Sequence, residues 1–325
     1  MINSVHRVGM RIARQLPSAP NRAFSPVTLW TAFQILLQGT AGKTHDELHR
    51  LAKSDLFTRT REDEEGARAL QALGTLRRES TLDLATGLWT SPHASLDRSF
   101  STLMKRSLDA SVSTAAQNPI PEIDAWTRER TRGRMGSGLS GVLPDWNVVL
   151  VSTLYYRGGW EYPFDPARTR LEPFYALSGT REVAMMHRRG EMAYFKTNGC
   201  PGVALPLDGA FHFVAILPPK DTDPWAWLLV HGEAALFSGA TTETDTILSL
   251  PRFVIDDELD MIAPLRAAGV SRLFENADVS PMGAFSPPVI VDQAHQSNRF
   301  EVDERGAEAI ARFTFALSTA GPAPK

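Results

Sequence analysis

Two histidines, His45 and His49, stand four residues apart in the segment HDELH, a spacing that sets both imidazoles on one face of a helix and suits a zinc ion. The carboxylate beside the first histidine is Asp46, so the run is not the H-E-x-x-H of zinc proteases, and no third ligand lies nearby in sequence. Two solvated histidines on a surface helix account for it. The run from Gly136 to Gly141 matches G-x-G-x-x-G letter for letter. A dinucleotide site needs those glycines between a strand and a helix N-terminus, whereas here a helical pattern precedes them and Pro144 follows. Arg128, Arg130, Arg132 and Arg134 alternate near Trp126, which spreads their charges around a helix rather than along a polyanion-binding stripe. A solvated helix face is the simpler reading. No G-x-S-x-G elbow is present. These residues argue for neither an enzyme nor a metal or cofactor.

The composition agrees. The 325 residues carry 34 basic and 37 acidic side chains, a formal charge of -3, so bulk charge recruits neither nucleic acid nor an anionic membrane. Hydrophobic residues make up 43%, enough for a large core. Cys200 is the only cysteine, which excludes an internal disulfide. No apolar run approaches the roughly 18 residues of a membrane span. The first residues, MINSVHRVGMRIARQL, are interrupted by arginines and lack a signal-peptide pattern, so a cytoplasmic location is expected, with secretion as the alternative.

The elements change character along the chain. Val5, Val8, Ile12 and Leu16 predict a helix over 4–16. Ser25-Pro26 starts a second helix whose Leu29, Phe33, Leu36 and Leu37 make it apolar nearly all round, hence buried. Thr44 and Glu47 predict a capping box on a third. From Leu82 strands take over: LDLATGLWT, helices near 97–111 and 120–132, then VVLVSTLYYRGGW as a central strand. EVAMMHR, EMAYFKT, GVALPL, FHFVAILP, DTILSLPRFVI and PPVIVDQ follow as strands, with a helix near 257–268. Helices first and strands later indicate an α+β domain.

The tail alternates with period two. After Gly306, a residue that permits a hinge in φ and ψ, Ala307, Ala309, Ala311, Phe313, Phe315 and Leu317 are apolar. Between them fall Glu308, Ile310, Arg312, Thr314, Ala316 and Ser318, mostly polar. The pattern suits a strand with one buried and one solvated face, with Arg312 on the solvated side. STAGPAP at 318–324 reads as exposed loop. The same stretch is fit for two states.

Segments across the whole chain, in order, resemble the serpin family of serine protease inhibitors. NRAFSP at 21–26 resembles its NxxFSP, GTAGKT at 39–44 its GAxGxT, and LVSTLYYRGGW at 150–160 its LVNAxYFKGxW. VAMM at 183–186, LPLDG at 205–209, LPRF at 250–253, GVSRLF at 269–274 and FEVDERGAEA at 300–309 complete the series. The high ratio of Arg to Lys and the abundant Ala, read as genome composition, make it by expectation a bacterial member.

The resemblance implies a single serpin-fold domain over 1–325, with helices packed on a large central sheet, two smaller sheets, and a reactive loop at about 305–325 near the C-terminal end. It implies a suicide inhibitor. A serine protease cleaves the loop, which then inserts into the central sheet and carries the covalently held enzyme across, a known mode of strand addition in serpins. About fourteen residues at ~3.3 Å each span roughly 45 Å, and a dozen added hydrogen bonds at about 1 kcal/mol each give on the order of 10 kcal/mol. The hinge comprises Glu304, Arg305, Gly306, Ala307, Glu308, Ala309, Ile310, Ala311, Arg312 and Phe313. The reactive bond falls at Ala320-Gly321, which suits an elastase-like or subtilisin-like protease, with Lys325 and a trypsin-like target as the alternative.

The polar groups that govern sheet opening map to Ser25, Thr28, Ser152, Trp160 and either Gln296 or His295. Gln296 stands where the family has a histidine, and a bulge would bring His295 into that place. Phe313 must enter the buried face, where overpacking costs about 1–3 kcal/mol. The family continues beyond its loop with further strands, so two readings stand open. In one, the chain is the large fragment of a cleaved molecule, partnered by its own C-terminal fragment, with the loop already inserted. In the other it is naturally short and a non-inhibitory interaction or chaperone-like protein, or less favourably a scaffold reused as an enzyme.

Overall fold

The computed structural model of the protein describes residues 2–52, 81–139, 145–235, 241–285 and 288–319. Three helices lead: α1 (Ile2–Ala13), α2 (Pro26–Gly39) and α3 (Gly42–Ala52). Ser25 caps α2 by accepting the Thr28 amide, with Pro26 at its first position, where a missing N–H costs nothing. Leu29, Trp30, Phe33 and Leu36 of α2 are fully buried, as the all-round apolar pattern requires.

The capping box expected at Thr44 and Glu47 does not form. The helix α3 begins two residues earlier, at Gly42, where φ is +52°, so Thr44 lies inside its first turn. Its hydroxyl accepts the Asp278 amide at 2.9 Å, and Glu47 accepts the amides of Ser271 and Arg272 at 2.7 and 2.8 Å. Both side chains cap a distant turn instead of their own helix.

Strands β1 (Leu82–Thr90) and β2 (Ser95–Leu96) precede α4 (Arg98–Leu108), β3 (Ser111–Thr114) and α5 (Ile120–Arg130). Then come β4 (Trp146–Gly159), β5 (Arg170–Ala176), β6 (Gly179–Thr197), β7 (Cys200–Pro206), β8 (His212–Ile216), α6 (Pro224–Ala235), β9 (Thr242–Pro251), β10 (Phe253–Asp260) and α7 (Ile262–Ala267). The short β11 (Gly283–Ala284) leads to β12 (Val289–Val302) and β13 (Gly306–Thr319).

Several boundaries differ from the sequence expectation for local reasons. EVAMMHR and EMAYFKT form one strand, β6, which continues through Gly190 at φ +152°. DTILSLPRFVI divides at Arg252 into β9 and β10, which join different sheets. The expected helix at 257–268 shrinks to α7, because residues up to Asp260 pair with β12. Alternation does not mark α6, whose WAWLLV run is apolar on every side.

The large sheet is six-stranded in the order β10-β12-β13-β4-β1-β3. A second, five-stranded sheet runs β5-β6-β7-β8 with β9 on the other edge of β6, so the long β6 joins what the resemblance expects as two smaller sheets. Strands β2 and β11 pair separately. Helix α2 packs on the inner face of the large sheet over Leu88, Val148, Leu150, Phe313, Phe315 and Leu317. On the outer face, α5 covers Trp89, Val149, Val151 and Ala316 through Ile123. Both faces of the sheet's centre are therefore dry, and a strand there must suit two cores.

Gly306 opens the central strand. Its φ is not in the left-handed region. In the sheet the glycine is needed for space, because any Cβ there would collide with the Gly158 carbonyl of β4. Gly306→Ala should therefore lower the stability of the molecule by about 3 kcal/mol, whereas Gly159→Ala, whose nearest neighbour would be the movable Asp208 carboxylate at 3.0 Å rather than backbone, should cost less. Guanidinium denaturation of the two variants checks the contrast.

Candidate functional site

Strand β13 holds the sequence-singled tail, and the structure places it inside the sheet. It runs antiparallel to β12, from Val302↔Ala307 to Val289↔Thr319, and antiparallel to β4, from Gly306↔Gly159 to Ser318↔Trp146. Of its fourteen residues only Ala309 and Thr319 are more than marginally exposed. The expectation of one solvated face is corrected: Glu308, Ile310, Arg312, Thr314, Ala316 and Ser318 are all buried, because α5 and the 131–139 segment after it lie across that face.

The turn that feeds β13 is built on Asp303. Its Oδ1 accepts the amides of Arg305 at 2.7 Å and Gly306 at 3.1 Å, and its own amide donates to the Gly306 carbonyl at 3.1 Å. The Arg305 guanidinium, otherwise exposed, donates to Oδ2 at 2.9 Å. Burial opposes the charged carboxylate, but the hydrogen bonds from the Arg305 side chain and from the two amides outweigh it and hold Asp303 below the usual carboxylate range. Trp160, at the end of β4, donates Nε1–H to the Asp303 carbonyl at 2.8 Å and its amide to the Arg305 carbonyl at 2.9 Å. Glu304 accepts the Thr169 hydroxyl at 2.7 Å.

Further along, Glu308 accepts the Tyr155 hydroxyl at 2.8 Å and pairs with Arg134 at 3.3 Å. Burial first, then the Glu308 carboxylate, push the Tyr155 hydroxyl up. Ala307, Ala309 and Ala311 run opposite Gly158, Tyr156 and Leu154 of β4. Ile310 is buried on the outer face.

Phe313 finds room. It is fully buried, with its ring 4.7 Å from that of Phe315 at a 49° tilt. Directly opposite it stand Gln296 on β12 and Ser152 on β4, and Ser152 in turn faces Thr86. Gln296 donates Nε2–H to the Ser25 carbonyl at 2.9 Å and to the Thr28 hydroxyl at 3.1 Å, and accepts the Ser25 amide at 3.2 Å. The structure thus brings Ser25, Thr28 and Gln296 together at the N-terminus of α2, with Ser152 across the sheet on the far side of Phe313. It does not bring His295. The register shift in β12 lies between Val291 and Gln293, so His295 keeps the opposite face, and a neutral amide stands where the resemblance expects an imidazole.

The bond Ala320-Gly321 and the alternative Lys325 lie outside the described residues. Of the discarded motifs, His45 and His49 stack at 5.5 Å, and no group of three or more metal-binding side chains occurs among the described residues. No helix among them is long and apolar enough to cross a membrane. The sequence reading missed Asp303, Ser297 and the 131–139 segment. Asp303 was available from the D-x-x-G turn spacing at 303–306; the other two carry no local signal, because their partners are far away in the chain.

The family model described as Serpin (serine protease inhibitor) matches residues 3–324. An uncharacterized serpin-like protein of Thermococcus kodakarensis is 26% identical over 99% of this chain and 77% of its own length. The leukocyte elastase inhibitor of Xenopus laevis is 27% identical over 90% of this chain and 82% of its own. Among solved structures, the cleaved Serpin 42Da superposes at a TM-score of 0.86 with 20% identity, covering 97% of this chain and 89% of that one. The reactive loop cleaved human thyroxine binding globulin gives 0.87 at 19% identity, covering 98% of each.

Two measurements probe the geometry. Phe313→Ala should cost about 3–5 kcal/mol in guanidinium denaturation, the range for emptying a buried phenyl site. A carboxylate depressed in the folded state adds stability above its unfolded pKa of ~3.9 and loses it as pH falls through the folded value. The wild type should therefore melt above Asp303→Asn at pH 6, with the gap closing below about pH 4.

Proposed function

As the chain belongs to the serpin family, we propose that it inhibits a serine protease as a suicide substrate, with β13 entering the large sheet after cleavage of the loop that carries it. The observation that carries this reading is the pairing of β13. It is antiparallel to both neighbours, so β4 and β12 run parallel to each other. With β13 outside, those two strands can close only as a parallel pair. Its entry replaces one slanted parallel ladder with two antiparallel ones and buries a further row of apolar side chains on each face. That difference supplies the driving force for dragging an attached enzyme along the sheet.

Ser25, Thr28, Ser152 and Gln296 govern opening in this reading. Phe313 enters between Gln296 and Ser152, which would be neighbours in the closed sheet. Trp160 and the 303–305 turn form the end at which insertion starts, and Glu304 to Phe313 form the hinge. The reactive bond is Ala320-Gly321. A small residue before the scissile bond suits a shallow pocket of elastase or subtilisin type, and the likeness to a leukocyte elastase inhibitor supports that choice. The molecule acts as bait and spring, not as an enzyme, and it works in the cytoplasm as one domain.

A second strand-forming peptide belongs to this proposal. Among the described residues β8 and β9 pair on one side only, and Val214, Leu217 and Ile247 are exposed on or beside them. The segment that follows the reactive bond is the natural occupant of those edges.

Incubation with pancreatic elastase or subtilisin tests the mechanism. The expected result is an adduct that survives boiling in SDS, together with a peptide whose sequence begins at Gly321. Cleavage at that bond with full recovery of free protease would leave a substrate rather than an inhibitor, and would favour the non-inhibitory interaction role.

A further inference from the structure

Arg312 is a long cation in the middle of a strand buried on both faces, with a relative exposure of 4%. The register sets Glu258 of β10, Ser297 of β12, Arg312 of β13 and Thr153 of β4 directly opposite one another, and residues so paired share a face of the sheet. The guanidinium donates Nη2–H to the Ser297 hydroxyl and Nη1–H to the Gly136 carbonyl. The Ser297 hydroxyl donates onward to Glu258 Oε1 at 3.4 Å. On the other side, Asp124 of α5 accepts the amide of Ser137, next to Gly136. Glu258 and Asp124 are the two carboxylates whose charges act on the buried guanidinium, against the burial that disfavours it.

The receiving surface is shaped for this side chain. Gly138 has φ +69°, and any Cβ on it would occupy the volume of the guanidinium. Gly138 of the G-x-G-x-x-G run is thereby explained as room for the guanidinium, while Gly136 offers it a carbonyl and, lacking a Cβ, leaves space for the Asp124 carboxylate. Neighbouring contacts run the same way, with Thr314 donating to the Ser137 carbonyl at 2.8 Å and Glu308 pairing with Arg134.

A buried guanidinium keeps its charge and must find acceptors wherever it stops. A slide of β13 by two residues would preserve its faces but move Arg312 from Ser297 to Arg299 or to His295. The first sets two guanidinium groups opposite each other, and neither supplies the carbonyl and hydroxyl at the present site. The inner face opposes such a slide through size alone, since Ala309, Ala311, Phe313 and Phe315 are all apolar, whereas Arg312 opposes it through its charge and its fixed acceptors.

We propose that Arg312 is the positioning residue that fixes the register of the inserted strand and fastens the 131–139 segment over it, with Ser297, Gly136 and Gly138 as its socket and Glu258 and Asp124 as its counter-charges. This rests on the reading that β13 enters the sheet after cleavage. It assigns the outer-face arginine a role in insertion instead of a tolerated position in a solvated loop.

Hydrogen exchange on the full chain, before and after loop cleavage by subtilisin, tests it. In the wild type, cleavage should slow exchange of the amides of 131–139 and of 306–319 together. In Arg312→Met, which keeps the apolar stem and loses the charge, the 306–319 amides should still become protected, while those of 131–139 should exchange at least ten-fold faster than in the cleaved wild type. Arg312→Lys, with no fork to span both acceptors, should not restore them. Glu258→Gln, a milder change, should give a smaller acceleration that does not add to that of Arg312→Met. Equal protection of 131–139 in wild type and Arg312→Met overturns the proposal. Unchanged protection of 306–319 on cleavage of the wild type overturns instead the reading on which it rests.

Discussion

The antiparallel pairing of β13 with both of its neighbours constrains everything else in the molecule. A strand flanked in this way has every backbone donor and acceptor directed at another strand, and neither face is left for water. Its side chains must therefore satisfy two cores, the inner one under α2 and the outer one under α5 and the 131–139 segment. The inner face meets this demand with alanines, two phenyl rings and a leucine. The outer face meets it with isoleucine, alanine and hydroxyls, and with two charged residues, Glu308 and Arg312, that each carry their partners with them.

The entry to the strand follows from the same constraint. Gly306 approaches the backbone of β4 more closely than any side chain allows, and the chain must reverse from β12 within 303–305 to reach it. Asp303 organises that reversal by gathering two amides and a guanidinium on one carboxylate, and Trp160 clamps the outside of the turn. Gln296 and Ser152 form a polar row across the flanking strands, with Phe313 set between them. A glutamine in that row bonds the α2 N-terminus through both amide atoms, which a single imidazole nitrogen cannot do.

Sequence alone made much of this legible. The serine cap and proline of α2, the buried β4, the period-two tail and the family motifs made the architecture and the strand character of the tail readable. The errors share one cause, which is that a local pattern reports an element's own residues and not the distant segments that pack against it. Arg312 reads as solvated because nothing local reveals that the 131–139 segment crosses above it. Thr44 and Glu47 read as a capping box because their true partners, Asp278, Ser271 and Arg272, lie more than 200 residues away. His295 reads as recoverable by a bulge because the position of a register shift is set by pairing, not by composition. The glycines at 136 and 138 read as a failed phosphate loop, and only the structure shows the carboxylate and the guanidinium they accommodate.

The central claim is that β13 gains its place in the sheet at the moment the loop is cut. Thermal unfolding of the full chain before and after a single cut in the loop is the most direct measurement. A dozen new backbone hydrogen bonds and the accompanying burial predict a rise in Tm on the order of 20 °C or more. An unchanged Tm would mean that the strand was already in place in the intact molecule, and the account would be contradicted.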